Sequence, residues 1–218
     1  MNLVIAIFLA LLLPMGLFAK DNDEAVFWKW FIKNQSRFEH FERDKEVLMS
    51  DLSEKIHTYR KGLAFEIGAK KDGVRDFVIS ADGIKELFPV VSKLASAAPK
   101  LPNWKITAFR PRMDDYSRFT VEYTGRKFDP KEIWFYSRVV DGHFDVIFYH
   151  PSYRDEDRNL IIAGTYILLD MALGEYDVVT GIRQLDHKPL PADPKAEGLK
   201  PYSEFRTVFD EFKKNKKD

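Results

Sequence analysis

Three carboxylates near the end of the chain stand in an otherwise apolar stretch and are the residues best suited to catalysis. Asp170, Glu175 and Asp177 are close enough in sequence to share a site, and grouped carboxylates bind hard cations or transfer protons. Glu175 and Asp177 point the same way if their segment is extended. The helix expected before Gly174, however, places Asp170 opposite its apolar side, where solvent exposure alone explains it. A periplasmic metal-dependent hydrolase is therefore the alternative function.

Two arginines, Arg110 and Arg112, flank Pro111 at the end of an expected strand. A guanidinium group donates two parallel hydrogen bonds to a carboxylate or phosphate, so the pair could grip an anionic ligand. In the other interpretation both side chains are solvated and offset the charges of Asp114 and Asp115.

The stretch from Ile133 to His150 predicts a β-hairpin, because Asp141-Gly142 is a residue pair that a type I′ turn prefers. The register about that turn pairs Val139 with Phe144, Arg138 with Asp145, Phe135 with Phe148, and Trp134 with Tyr149. Alternation along the strands then gives two faces. The expected core face holds Ile133, Phe135, Val139, Phe144, Val146 and Phe148. The other, here named the mixed face, holds Trp134, Tyr136, Arg138, Asp145, Ile147 and Tyr149.

The mixed face combines aromatic rings with polar tips, and we expect the binding site there. Such side chains suit sugars, peptides or partner surfaces, and Arg138 and Asp145 are expected to pair across the strands. The alternative is that a helix covers this face and the aromatics form a second layer of core. The expected binding residues are Trp134, Tyr136, Arg138, Asp145 and Tyr149, with Arg110 and Arg112.

The histidines and the motif content predict neither a metal nor a cofactor. His143 and His150 lie roughly 24 Å apart along one strand, so we expect no joint metal site and place each at the surface or rim. The chain has no cysteine, which excludes thiolate ligands, disulfides and a cysteine nucleophile. It also lacks the dinucleotide, P-loop, nucleophile-elbow and His-Glu-x-x-His patterns.

The N-terminus predicts export. Residues 3–19 are uncharged and apolar, interrupted by Pro14 and Gly16, and Ala19 precedes Lys20. This pattern is typical of a secretory signal peptide over 1–19, cleaved near Ala19; the alternative is an uncleaved anchor, which would be the chain's only membrane contact. The expected location is periplasmic or secreted, in a bacterium.

The remaining chain predicts one α+β domain over 20–218. Lys plus Arg equals Asp plus Glu at 34 each, so no overall charge favours nucleic acid as a partner. The order of helical and alternating patterns indicates a largely antiparallel sheet of about seven strands, including 118–123 and 178–185, packed by helices. N-terminal helices precede the sheet. A proline-containing loop over 188–200 and an amphipathic helix over 201–216 close the chain.

Several short segments resemble a pattern in uncharacterised bacterial α+β proteins. They are Ile79-Ser-Ala-Asp-Gly, Phe88-Pro, Ala98-Pro99-Lys-Leu-Pro-Asn-Trp104, Ala108-Phe109-Arg110-Pro111, Leu169-Asp170 and Leu173-Gly174-Glu175-Tyr176. The resemblance covers about half of the chain. It implies the α+β class and transfers no activity, ligand or catalytic residue.

Taken together, the signal segment and the mixed face predict an exported, non-enzymatic module that binds an unknown ligand or protein partner.

Overall fold

The computed structural model describes residues 24–151 and 153–216. The predicted signal segment lies outside these ranges, so its cleavage and the export of the chain stay predictions. Contacts between residues group the chain into two compact units, the first ending at Arg110 and the second beginning at Pro111. Within the described ranges, no helix has both the length and the apolar character needed to cross a membrane.

The described residues form six α-helices and nine strands. The helices are α1 (Glu24–Phe38), α2 (Lys45–Tyr59), α3 (Phe88–Ser96), α4 (Arg158–Leu173), α5 (Glu175–Gly181) and α6 (Phe205–Asn215). The strands are β1 (Ala64–Lys71), β2 (Val74–Ser80), β3 (Trp104–Ala108), β4 (Val121–Tyr123), β5 (Arg126–Phe128), β6 (Trp134–Val140), β7 (His143–His150), β8 (Ile182–Pro189) and β9 (Lys200–Pro201).

The α+β class is confirmed, but the single sheet of about seven strands is wrong. The strands form three small sheets, ordered β1-β2-β3, β4-β5 and β8-β7-β6-β9. The strand β3 ends at Ala108, because Phe109 has a φ of 65°, which is outside the extended conformation. The predicted strand over 118–123 is shorter than expected, since β4 begins at Val121, and among the described residues it pairs with β5.

The first unit is built on aromatic side chains. The helix α1 places Phe27 and Phe31 against Phe77 of β2, with ring centroids 6.5 and 5.0 Å apart. Trp104 of β3 meets Phe31 edge-on at 5.1 Å. The strand β3 lies parallel to β2 because α3 carries the chain back across the sheet. Pro89 lies in the first turn of α3, where a missing N–H costs no helical hydrogen bond.

The second unit packs helices on the predicted core face of the hairpin. Phe205 of α6 contacts Phe135 and Phe148 edge-on at 5.1 Å each. Tyr202, which is fully buried, donates a hydrogen bond to the carbonyl of Leu168 in α4. The helices α4 and α6 thus share one aromatic core with the sheet.

One residue predicted for that core is exposed. Val139 has 56% of its surface exposed, whereas Phe144 opposite it is buried by Phe209 and Phe212. Val139 lies beside the hairpin turn, and β9 flanks β6 only at its other end. The core-face assignment is therefore right for five of its six residues and wrong for Val139.

The segment after α4 also differs from the sequence prediction. Gly174, with a φ of 79°, ends α4, and a new helix begins at once because Glu175 and Asp177 complement its N-terminal dipole. The strand β8 consequently starts at Ile182 and not at 178, and it extends into the expected proline loop. The two residues of β9 then add a fourth strand to the sheet.

Candidate functional site

The hairpin register is the one that the turn predicts. All four expected cross-strand pairs are present, including Arg138 with Asp145 and Trp134 with Tyr149. The strand β8 lies parallel to β7 and widens the mixed face by a third strand. The enlarged face has three rows, which are Arg138–Asp145–Gln184, Tyr136–Ile147–Asp186 and Trp134–Tyr149–Lys188.

The mixed face is accessible to solvent. Tyr136 has 44% of its surface exposed and the Arg138 side chain 59%, while Trp134 and Tyr149 are half-buried. A helix sealing this face would have removed the solvent contact of these side chains. The aromatics therefore form an outer surface of the second unit.

A small cavity of about 90 Å³ lies on this face, lined by Tyr136, Arg138, Asp145, Val146, Ile147, Gln184 and Asp186. Pockets that enclose a whole small molecule measure roughly 300–1,000 Å³. The cavity is therefore too small to enclose a whole small molecule.

Asp145 is buried at the edge of this cavity, with 4% of its surface exposed. Arg183 donates two hydrogen bonds to its carboxylate, at 2.8 and 2.5 Å, and these bonds hold the pKa of Asp145 below its usual range. The predicted partner, Arg138, lies farther away, with Nε 3.7 Å from the carboxylate. Arg183 therefore neutralises Asp145, and Arg138 keeps donors for another group.

Sequence reasoning missed Arg183 because it depends on an irregularity between strands. The register between β7 and β8 shifts by one residue after Phe144. A bulge of this kind re-aims a side chain, and here it brings Arg183 to Asp145. The pairing of β7 with β8 is non-local, so no pattern within either segment indicates it.

The prediction that places His150 at the surface or rim is wrong, because His150 is buried against His187. Their exposed fractions are 3% and 4%, and His150 Nε2 lies 3.1 Å from His187 Nδ1. Burial lowers the pKa of His150 to about 3 and that of His187 to about 4. No local pattern indicates this pair, because the register of β8 against β7 brings His187 to His150. His143 is exposed, as predicted.

The carboxylates of the hydrolase alternative are engaged in structural contacts. Asp177 accepts hydrogen bonds from Arg112 at 2.8 Å and Lys213 at 2.6 Å, and Glu175 is fully buried in α5. Within residues 24–151 and 153–216, no group of three histidine, aspartate or glutamate side chains is placed to hold a metal ion. The geometry therefore lends the metal-dependent alternative no support.

The two arginines proposed as an anion grip each hold carboxylates of their own unit. Arg110 donates to Glu66 at 2.6 Å and to Asp82 at 3.0 Å. Arg112 donates to the carbonyl of Leu173, and its terminal nitrogens bind Asp210 and Asp177. Hydrogen bonds from Arg112 to Asp210 raise the pKa of Arg112, against the opposing effect of burial. Both guanidinium groups act as internal cross-links.

Comparisons with protein families, curated proteins and solved structures found no significant match to this chain. The resemblance to bacterial α+β proteins therefore stays a prediction.

Proposed function

We propose that this chain is an exported, non-enzymatic binding module that holds its ligand on the mixed face. The observation that carries the proposal is the exposure of Tyr136 beside Arg138, where both side chains line a small cavity on the face of the sheet. Aromatic side chains with polar tips supply apolar contact area and hydrogen bonds at little entropic cost, since their rings are rigid.

The ionisable groups of this face favour binding over catalysis. Arg183 keeps Asp145 charged through two hydrogen bonds. Although burial raises the pKa of Asp186, hydrogen bonds from Arg158 and from the His187 N–H bring it below the usual range. Neither carboxylate is therefore poised to exchange a proton near neutral pH, as a general acid or base must be.

The test is a thermal-shift screen of the purified protein against sugars, peptides, nucleotides and metal salts. A ligand at 100 times its Kd stabilises the folded state by roughly 2.7 kcal/mol, a rise of roughly 5–10 °C in Tm for a chain of this size. If Tyr136 anchors the ligand, Tyr136→Ala weakens binding by about 2 kcal/mol, roughly 30-fold in Kd. The same ligand concentration then contributes only about 0.9 kcal/mol.

Tyr166 provides the matched control. It lies on α4 in the same unit and is also 44% exposed, so Tyr166→Ala removes an equal side chain from a different surface. We expect Tyr166→Ala to keep the full ligand-dependent shift. A ligand whose shift is lost equally in both variants, or in neither, would place binding elsewhere and contradict the proposal.

A further inference from the structure

The mixed face carries two cations whose hydrogen-bonding capacity is largely unused. Arg183 binds Asp145 and Arg158 binds Asp186, so four of the charges cancel in pairs. Among the described residues, Arg138 has only the 3.7 Å contact with Asp145.

Lys188 is the second cation. It is exposed and forms an ion pair with no residue of the described ranges. Glu197 lies near enough to Tyr149 to help raise its pKa, after the larger effect of burial, and so adds a negative charge near this corner. Arg138 and Lys188 are the cations of the face that lack a close carboxylate partner among the described residues, and they are widely spaced.

These two cations occupy opposite corners of the three-row face. Arg138 is in register with Asp145, and Lys188 with Tyr149, four residues farther along β7. Four residues span about 14 Å and two strand spacings about 10 Å, so the Cα atoms of Arg138 and Lys188 lie about 17 Å apart. The diagonal between them passes over Ile147, between Tyr136 and Asp186. A ligand that contacts both cations is elongated and crosses the row of Tyr136, Ile147 and Asp186.

The side chains around the cavity match a hydroxyl-rich ligand. The side chain of Gln184 and the carboxylate of Asp186 are hydrogen-bond acceptors at the cavity, and the hydroxyl of Tyr136 both donates and accepts. Peptides that bind sheets gain affinity mainly by adding a strand to an edge, whereas a sheet face offers them no backbone hydrogen bonds.

On these grounds we propose that the ligand is an acidic polysaccharide, with sugar rings against Tyr136 and carboxylate or sulfate groups at Arg138 and Lys188. This inference rests on the proposed function, since it names the ligand class of the same face. Binding couples apolar ring contact at Tyr136 to charge-assisted hydrogen bonds at the two corners.

The experiment measures the Kd of an oligogalacturonate of at least four sugars by titration calorimetry, beside its methyl-esterified form of the same length. We expect the acidic oligomer to bind and the neutral ester to bind at least tenfold more weakly. Arg138→Gln should weaken binding of the acidic oligomer about tenfold and Lys188→Gln about threefold. Lys214→Gln, an equal change of charge on α6, should leave the Kd unchanged.

The outcomes separate this inference from the proposed function. Equal affinity for the acidic and esterified oligomers, still lost in Tyr136→Ala, would overturn the acidic ligand class and leave the binding face standing. Tighter binding of polyglutamate or single-stranded DNA than of the oligogalacturonate would likewise overturn it. If none of these polymers binds in a manner that depends on Tyr136, while the thermal-shift screen finds another ligand that does, the inference fails alone. If no ligand depends on Tyr136, both proposals fail.

Discussion

Lowering the pH from 7.5 to 5 should destabilise the second unit through its buried imidazole pair. His150 and His187 are buried against each other, and no hydrogen-bond acceptor among the described residues meets the buried Nε2 of His187. Arg126 adds positive potential at His150, and Arg158 adds it at His187, where Asp186 opposes it. A proton on either ring therefore has no carboxylate partner of its own in the folded state.

The sign and the magnitude follow from the pKa values. Folding lowers the pKa of His150 from 6.5 to about 3 and that of His187 from 6.5 to about 4, so between pH 6.5 and 4 the unfolded chain binds protons that the folded chain does not. The stabilisation is complete above pH 6.5 and is lost as the pH falls. At pH 5 each histidine accounts for a loss on the order of 2 kcal/mol, and the pair for about 4 kcal/mol.

The assay is urea denaturation at several pH values between 7.5 and 5, for the parent protein and two variants. His187→Phe removes one of the two titrations, so its loss of unfolding free energy over this range should be about half that of the parent. His143→Gln, which changes an exposed histidine of the same hairpin, should keep the parental slope. A stability that stays constant between pH 7.5 and 5, or a slope that His187→Phe leaves unchanged, would refute the reasoning.

Three further predictions concern packing, an ion-pair network and export. Gly164→Ala in α4 would overlap the ring of Phe128, so it should cost about 1–3 kcal/mol in chemical denaturation and not give the gain of about 1 kcal/mol usual for a helix. Arg112→Ala leaves Asp210 without its guanidinium partner and should cost about 1–3 kcal/mol, whereas Arg118→Ala, at a surface ion pair, should cost less than about 1 kcal/mol. For export, N-terminal sequencing of the protein recovered from the cell envelope or medium should begin at Lys20, and a sequence that begins at the initiator methionine would contradict cleavage.

Local chemistry was sufficient to predict the hairpin. The Asp141-Gly142 turn fixes the register, and the alternation of apolar residues then assigns the core face. Phe135, Phe144 and Phe148 are buried as this reasoning requires. Val139 is exposed although it shares this face, because burial also depends on which elements pack over the strand. Alternation along one strand does not indicate that packing.

The contacts that the sequence could not predict depend on pairing between strands that are distant in the chain. The strand β8 brings Arg183 to Asp145 and His187 to His150, and its position depends on α5, a helix of seven residues that follows Gly174 immediately. Extended and helical interpretations of so short a segment are both compatible with its residues. The end of β3 was equally beyond prediction, since it depends on the backbone conformation of Phe109 and not on the strand pattern.

The central claim is that the mixed face contacts the ligand, and hydroxyl-radical footprinting tests it most directly. Tyr136 and Tyr166 are equally exposed in the protein alone, so both should oxidise readily without ligand. At a saturating concentration of a ligand found in the thermal-shift screen, we predict that oxidation of Tyr136 falls several-fold and that of Tyr166 does not change. Unchanged oxidation of Tyr136 at saturation would contradict the account.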